Sequence, residues 1–394
     1  MTPSFRALPL GGPARLSTAW FEGERELLQV ATSATGLGID LRGELSEVTA
    51  SHQDFLRLAG VLAEMGSGHA PRLHRYLAPV TEWQTRTRSF SLERAIILGI
   101  LNLTDDSFSG DGVGADLSAA LRHADALRAA GAAIIDTGAE SARADRPVAE
   151  EVREAALVAA AVAALVAEGH AVSVDSYKPA VARAGMLAGA EIANDISGLT
   201  LGDGVARVAA EFGAGYILNY SYSVPKKRPP SPPVYGDVVS EHVGWFEQRT
   251  AALEAIGLPR ERYAIDPGIA FGKSHDEDIQ VIRRLPELQT FGQPVLLAHS
   301  RKNFIGSING QPPAERDLET HMLSALAYAK GARLFRVHDP AGASRALEMA
   351  AAIESARPGE FAPDADSWPW RAGASATHMT REAPSGAAPP GQRW

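Results

Sequence analysis

Polar side chains in this sequence recur at the points where apolar, strand-like runs end. Asp175, Asn194 and Asp266 stand at three such points. Their carboxylate and amide groups could pair with the edge of a flat heterocycle that is rich in hydrogen-bond donors. A second, cationic group at the later strand ends suits an anion such as phosphate or carboxylate. This group comprises Arg301, Lys302, Arg336 and His338.

Another apolar run ends at Asn102 and continues into a polar loop. Asn102, with Thr104 and Asp106, offers the hard oxygen ligands that magnesium (Mg²⁺) accepts. A single polar residue at a strand end is usually a helix cap or a turn former, and this is the simpler interpretation of Asp136 and Asp195. Polar residues at every strand end instead indicate one shared site.

These residues need a framework that brings the strand ends together. From residue 88 onward, short apolar segments alternate with Ala-rich helical segments, several of which end in Gly. Eight such units over about 260 residues favour an α/β fold of the (β/α)8 TIM barrel type, in which all strand ends surround one pocket. A doubly wound open sheet is the alternative, which the absence of GxGxxG after the first strand disfavours. The predicted strands are residues 96–103, 132–138, 171–176, 191–196, 215–220, 263–268, 294–300 and 333–339.

The sequence divides into three predicted parts. Residues 1–88 are expected to form a small N-terminal α/β appendage, residues 89–355 the barrel, and residues 356–394 a disordered tail dense in Pro, Gly, Ala and Ser. Within the appendage, residues 27–34 indicate a strand followed by a loop. Residues 52–66 have the apolar spacing of an amphipathic helix. Nothing in the appendage points to chemistry.

Composition excludes several classes of function. The 394 residues carry a formal net charge of −9, which gives no support to binding of nucleic acid or of an anionic membrane surface. Cysteine is absent, so disulfides, thiolate metal sites and cysteine nucleophiles are excluded. No apolar run reaches the ~18 residues of a membrane span, and no signal peptide is expected. A cytoplasmic, soluble protein is therefore predicted.

A series of motifs occurs in the order seen in dihydropteroate synthases. These motifs are ILGILNLTDDSFSGDG, IIDTGAESAR, VSVDSYKPAVA, ANDISGL, IDPGIAFGK, SRKNFIG and RVHD. Residues 90–352 therefore resemble that family. The resemblance implies a TIM barrel enzyme of folate biosynthesis that joins 6-hydroxymethyl-7,8-dihydropterin diphosphate to 4-aminobenzoate. It also implies release of pyrophosphate with the help of Mg²⁺, and a homodimer.

The matching motifs imply roles for individual residues on the pterin side. The pterin ring would be held by Asp175, Asn194, Asp266 and Lys302. Asn102 would lie at the position of Mg²⁺ and the diphosphate. In the family's chemistry the amine attacks the pterin methylene carbon as diphosphate departs, so no strong general base is needed.

The resemblance assigns catalysis to groups that stabilise the departing diphosphate and order the amine. Phe271 and Lys302 would lie where the aminobenzoate ring passes, and Asn303 would meet its carboxylate. The catalytic groups implied are Arg143 on the second loop, Lys302, and the pair Arg336 and His338.

The sequence departs from the usual family pattern in its loops. Asp105 replaces a Pro in the first loop, and Ala142 replaces a Thr in the second. Asn219 stands in place of a His, and Asn303 in place of a Ser. Two alternatives stay open: a pterin-binding methyltransferase acting with a corrinoid protein, which would also hold the pterin with Asp and Asn at the strand ends, and a pterin-binding paralogue without catalysis, which the loop departures suggest. The DSFS loop and the lysine of SRK favour the synthase over the methyltransferase.

Overall fold

The computed structural model of this chain describes residues 4–7, 17–42, 45–104, 112, 116–140, 148–222 and 233–355. Residues Met1–Ala351 form one unit, and residues Ala352–Trp394 form a second. Of the second unit, the described residues are 352–355, which end the last helix. The tail predicted for residues 356–394 lies outside the described residues.

The N-terminal appendage is an α/β layer with its own apolar core. Its strands, β1 (Ser4–Ala7), β2 (Ser17–Glu22), β3 (Asp40–Arg42) and β4 (Leu45–Ala50), pair antiparallel in the order β1-β2-β4-β3. Its helices are α1 (Arg25–Thr35), α2 (His52–Glu64) and α3 (Ala70–Leu77). The core between them includes Phe21, Leu28, Val48, Phe55 and Leu58. The α/β appendage and the amphipathic helix predicted at residues 52–66 are thus confirmed.

The strand predicted at residues 27–34 is wrong, because this segment lies in α1. Its β-branched residues Val30 and Thr32 favoured a strand. In the fold, however, Val30 is exposed, and the buried positions Leu28, Ala31 and Thr32 have helical spacing. Burial of these three side chains stabilises the helix more than the weak local preference for a strand opposes it, because tertiary packing commonly overrides propensity.

A two-stranded hairpin covers the amino-terminal mouth of the barrel. Its strands are β5 (Glu82–Gln84) and β6 (Ser89–Ser91), so the predicted boundary between residues 88 and 89 falls within the hairpin. Trp83 is fully buried among apolar side chains from the beginnings of the barrel strands. Its indole N–H donates to the carbonyl oxygen of Arg262 at 3.1 Å, so the one polar atom of the side chain is satisfied.

Eight parallel strands form the barrel. They are β7 (Ile96–Asn102), β8 (Ile134–Gly138), β9 (Val172–Asp175), β10 (Ile192–Asp195), β11 (Gly215–Asn219), β12 (Tyr263–Asp266), β13 (Leu296–Leu297) and β14 (Leu334–Val337). The pairing order is β12-β11-β10-β9-β8-β7-β14-β13, and a parallel bridge between Ile265 and Val295 closes the ring. Because each strand lies beside its neighbours in sequence, the predicted TIM barrel is confirmed and the open sheet is excluded.

Helices surround the strands and bury one face against them. They are α4 (Leu117–Ala129), α5 (Glu151–Ala167), α6 (Pro179–Leu187), α7 (Gly204–Phe212), α8 (Val238–Ile256), α9 (His275–Arg283), α10 (Asn303–Asn309), α11 (Asp317–Ala329) and α12 (Pro340–Ser355). Short 3₁₀ turns occupy Arg260–Arg262, Leu285–Phe291 and Pro313–Glu315. Within the described ranges, no helix is both long enough and apolar enough to cross a membrane.

Glycine ends the helices where the chain turns back into a strand, as the sequence predicts. The residues concerned have φ values between 60° and 107°, a left-handed region that a side chain would strain. They are Gly131, Gly169, Gly189, Gly213, Gly257 and Gly331. These turns lie at the amino ends of the strands, so the carboxyl ends are left to carry polar loops.

Candidate active site at the carboxyl ends of the barrel strands

Arg336 on β14 joins carboxylates from two other strands. Its Nε donates to Oδ2 of Asp136 on β8 at 2.5 Å, and its Nη2 donates to Oδ2 of Asp175 at the end of β9 at 2.8 Å. Strand β7 lies between β14 and β8, so the first ion pair crosses a whole strand. Partial burial makes such charges costly alone, and their mutual pairing and hydrogen bonds offset that cost.

Asn194 on β10 approaches the same carboxylate as Arg336. Its Nδ2 lies 3.3 Å from both carboxylate oxygens of Asp136. Asp136 is fully buried and therefore holds two side chains of the site at once. The helix-cap interpretation of this residue is wrong. The available signal was an acidic residue inside the apolar run IIDTG, where a charge is costly unless it is paired.

Lys302, Asp266 and Phe271 form the other half of the site. The Lys302 ammonium donates to the carbonyl oxygen of Ile269 at 2.5 Å and lies 5.0 Å from the centre of the Phe271 ring. Asp266 ends β12, and its Oδ1 accepts the backbone N–H of Gly268 at 2.8 Å. A cation over an aromatic face is favourable, so Lys302 and Phe271 stabilise each other's position.

The two halves interact electrostatically. Burial raises the pKa of Asp175 to about 7, with Arg336 opposing the rise and Asp136 adding to it. Burial also raises the pKa of Asp266, and the Lys302 charge opposes this. Burial lowers the pKa of Lys302 to about 8, and Asp266 resists the change. The pKa values of Asp175 and Lys302 are thus shifted toward neutral pH from opposite sides, a property common in functional sites.

The loop after β12 fixes the position of Phe271. Lys273 Nζ donates to the carbonyl oxygen of Pro267 at 3.0 Å, which pulls the loop onto itself. Ala270 adopts a left-handed φ of 68°, and its N–H donates to both carboxylate oxygens of buried Asp278 at 2.9 and 3.1 Å. These bonds offset the strain of about 1–2 kcal/mol that a left-handed alanine carries.

His338 and Asn303 lie beside these groups in the chain and make contacts of their own. His338 Nδ1 is 2.8 Å from the hydroxyl of Ser300, which also accepts the His338 backbone N–H at 3.2 Å. Asn303 begins α10 directly after Lys302 and is exposed. Its Oδ1 accepts from Nη1 of Arg316 at 3.2 Å. Arg316 lies outside every motif of the sequence.

Asn102 is the last residue of β7 and is half-buried. Among the described residues, no three His, Asp or Glu side chains are grouped as a metal site. Mg²⁺ is a hard cation that binds oxygen ligands, and where substrate phosphates share its coordination it keeps several of its waters. The amide oxygen of Asn102 at the strand end is a donor of this kind. Asp106 lies outside the described residues.

Arg143 lies within residues 141–147, outside the described residues, but the chain on both sides of that segment is anchored. Lys178 Nζ donates to Glu140 Oε2 at 2.6 Å, to the Ala149 carbonyl oxygen at 2.8 Å and to Glu154 Oε2 at 2.5 Å. The two carboxylates raise the pKa of Lys178 against its burial, so the ammonium is charged. The Lys178 ammonium thus holds residues 140 and 149 close to each other.

Two further strand-end residues have structural roles. Asp195 accepts the Ser197 N–H at 2.9 Å and the Tyr216 hydroxyl at 2.6 Å, so it closes a turn, as the simpler sequence interpretation held. Asn219 donates its amide to the carbonyl oxygens of Ile196 at 3.1 Å and Tyr220 at 3.0 Å. Both side chains are used by the fold itself.

Residues 98–338 match the family described as pterin binding enzyme. Dihydropteroate synthase of Mycobacterium leprae (strain TN) is 35% identical over 274 residues, which cover 68% of this chain and 96% of the relative. The chain belongs to the dihydropteroate synthase family. The predicted family and enzyme class, a transferase of folate biosynthesis, are thereby confirmed.

Solved structures of dihydropteroate synthases have the same fold. The Yersinia pestis enzyme, in a complex with a sulfonamide drug, superposes with a TM-score of 0.66 at 33% identity and covers 70% of this chain and 100% of its own. The Xanthomonas albilineans enzyme in complex with 7,8-dihydropteroate gives 0.62 at 31% identity, with the same coverage. The family match begins after the N-terminal appendage, which is an addition to the dihydropteroate synthase barrel.

Proposed function

We propose that this chain condenses 6-hydroxymethyl-7,8-dihydropterin diphosphate with 4-aminobenzoate to give 7,8-dihydropteroate and pyrophosphate. The observation that carries the proposal is the joining of Asp136, Asp175 and Arg336 at the barrel mouth of a dihydropteroate synthase family member. The similar Xanthomonas albilineans enzyme binds 7,8-dihydropteroate, the product of this reaction.

Pterin recognition follows from the hydrogen-bonding character of the site. The aminopyrimidinone edge of a pterin presents N–H donors beside a carbonyl acceptor. Asp175 and Asp266 supply carboxylate acceptors, Asn194 supplies an amide, and Lys302 supplies donors to the carbonyl. Buried acceptors of this kind reject heterocycles that cannot pair with them.

In the reaction the amine nitrogen of 4-aminobenzoate forms a bond to the pterin methylene carbon. The bond from that carbon to the diphosphate oxygen breaks, its electron pair leaves with the diphosphate, and the amine loses one proton. Arg336 and His338 hold the departing anion, because a guanidinium has several N–H donors and two of those on Arg336 already fix its orientation. Arg143 on the second loop is assigned to the same catalytic group, and Phe271 orders the aminobenzoate ring.

Asn102 would hold Mg²⁺ together with the diphosphate. When bound, the ion neutralises charge on the leaving group. Asn102→Ala is then expected to raise the Mg²⁺ concentration that gives half-maximal rate by about tenfold, with pterin affinity in the absence of metal unchanged. An unaltered metal requirement in this variant would remove Asn102 from the metal site.

The homodimer and the cytoplasmic location stay predictions from the sequence. The dimer has one physical support: α11 exposes Leu318, Met322 and Leu326, spaced four residues apart, and Met349 is exposed on α12. Such a stripe commonly marks a protein contact. Leu318→Glu is expected to convert a dimer to a monomer in light scattering, whereas one mass for both proteins would count against this surface.

The reaction itself is tested with purified protein, the pterin diphosphate, 4-aminobenzoate and Mg²⁺, by following pyrophosphate and 7,8-dihydropteroate together. Equal amounts of both products are expected. Pterin binding without product at any Mg²⁺ concentration would instead identify a non-catalytic paralogue. Methyl transfer from a methyl-tetrahydropterin to a corrinoid protein would identify the methyltransferase.

A further inference from the structure

Arg316, directly before α11, is a buried arginine that reaches back to the residues around Lys302. Its side chain is anchored by Nε, which donates to the carbonyl oxygen of Gln311 at 2.8 Å. Its Nη1 donates both to the carbonyl oxygen of Arg301 at 2.9 Å and to Oδ1 of Asn303 at 3.2 Å. Only 7% of Arg316 is exposed. One nitrogen therefore links the residues on either side of Lys302.

The surroundings of Arg316 are shaped to receive its guanidinium. A Cβ at Gly306 would clash with Nη2 of Arg316, so the absence of a side chain there makes the space. Arg301, whose φ is 58°, is itself clamped by the carboxylate of Asp317 through two bonds of 2.7 Å. Adjacent residues 316 and 317 thus hold the neighbours of Lys302 from both sides.

The pairing with Arg316 fixes which end of the Asn303 amide faces outward. A guanidinium donates hydrogen bonds and accepts none, so the atom facing it must be the amide oxygen. The NH₂ group then points the other way, and among the described residues no partner bonds to it. This exposed N–H group, directly after Lys302, can donate a hydrogen bond to a carboxylate.

We propose that Arg316 is a positioning residue for the second substrate: it fixes Asn303 so that the amide NH₂ donates to the carboxylate of 4-aminobenzoate. This inference rests on the proposed function. Asn303 and Arg316 together would perform a task that a hydroxyl performs where a Ser follows the SRK lysine. Specificity for a carboxylate then depends on a side chain that never touches the substrate.

The first test reverses the outward atom. Asn303→Asp keeps an oxygen for Arg316 but presents a second, negatively charged oxygen outward. KM for 4-aminobenzoate is expected to rise about tenfold or more, while KM for 4-aminobenzamide, which carries a neutral donor, stays or falls. An unchanged KM for 4-aminobenzoate, or an equal rise for both compounds, would overturn the inference.

The second test asks whether Arg316 acts through Asn303. Arg316→Lys loses the fork that spans two acceptors, so KM for 4-aminobenzoate is expected to rise several-fold, with kcat and the Kd of the pterin unchanged. In an Asn303→Ala background the same substitution is expected to have no further effect on KM. An equal effect in both backgrounds would show that Arg316 acts through the fold and not through the amide.

Arg333→Lys is the matched control. Its Nη1 also donates to two carbonyl oxygens, those of Tyr328 at 3.1 Å and Ala332 at 2.9 Å, but it lies at the amino end of β14. The KM of the Arg333→Lys variant for 4-aminobenzoate should equal that of the unaltered protein. Absence of product from the unaltered protein overturns the proposed function and this inference with it. Product from the unaltered protein with no KM change in Asn303→Asp overturns this inference alone.

Discussion

Arg336 Nε and Asp136 Oδ2 lie 2.5 Å apart, and this ion pair passes from β14 to β8 over the strand between them. The contact sets where the guanidinium lies before any substrate arrives. Because Asp136 is fully buried, the surrounding side chains fix its position. The ion pair in turn holds the Arg336 guanidinium in one position. The Arg336 guanidinium therefore has a fixed position before the reaction begins, as its proposed role in holding the departing diphosphate requires.

Asp136→Asn is therefore expected to lower kcat/KM about 100-fold, the loss typical when a catalytic group moves by roughly 1 Å. The amide keeps the shape of the carboxylate but cannot neutralise Arg336. Steady-state kinetics with both substrates measures the effect. Asp195→Asn is the control, because that carboxylate closes a turn on β10, and it should lower Tm with little change in kcat/KM. Comparable kinetics for Asp136→Asn and the unaltered protein would exclude the positioning role.

The pH profile of kcat/KM for the pterin diphosphate should be bell-shaped. Burial raises the pKa of Asp175 to about 7, so the carboxylate acceptor is lost as the pH falls below that value. Burial lowers the pKa of Lys302 to about 8, so the charged donor is lost as the pH rises above it. Because kcat/KM depends on the protonation states of the free enzyme, it should be highest between these two pKa values, where Asp175 is ionised and Lys302 is charged. A flat profile from pH 6 to 9, measured about every half unit, would contradict both assignments.

Lys302→Ala should weaken pterin binding about 100-fold, since it removes a charged hydrogen-bond donor and takes from buried Asp266 the cation that affects it most. Calorimetry with the pterin alone measures this without the second substrate. Lys330→Ala is the control, because its ammonium donates to the Arg283 carbonyl oxygen at 3.0 Å at the other end of the barrel. Equal Kd values for the two variants would take Lys302 out of the pterin site.

Lys178→Met should destabilise the fold by about 3–5 kcal/mol, because two carboxylates would stay buried without their cation. Glu140 and Glu154 are 7% and 1% exposed in that contact. Urea unfolding gives the free energy. Arg183→Met removes an ion pair with Glu211 whose side chains are 45% and 54% exposed. Exposed ion pairs contribute little to stability, so this variant should lose far less free energy of unfolding than Lys178→Met. Similar losses in both variants would mean that burial does not decide the strength of these pairs.

The barrel was predictable from the sequence because its strands are continuous apolar runs between glycine-ended helices. The appendage was harder, since α1 has β-branched residues whose environment depends on which face the layer buries. Strand-end residues such as Asp175 and Lys302 could be identified by position alone. Their mutual contacts could not, because no local pattern indicates which of several carboxylates a given guanidinium meets.

The roles of Asp136 and Arg316 could not be predicted from the sequence, for two different reasons. Asp136 was visible as a charge inside an apolar strand but had a simpler interpretation as a cap. Arg316 belongs to no motif and acts from the start of a different helix. Its relation to Asn303 depends on the chain path between residues 303 and 316, which brings the beginnings of two helices together.

The two ends of the barrel differ in how well they tolerate substitutions, and the glycines that end the helices are the reason. At the amino rim, left-handed φ values make most substitutions at these turns costly, whatever the enzyme's chemistry. At the carboxyl rim, loops can change length and content with little effect on how the strands pair. Changes in the carboxyl-rim loops can therefore alter which second substrate is accepted, while the turns at the opposite rim keep the barrel itself unchanged.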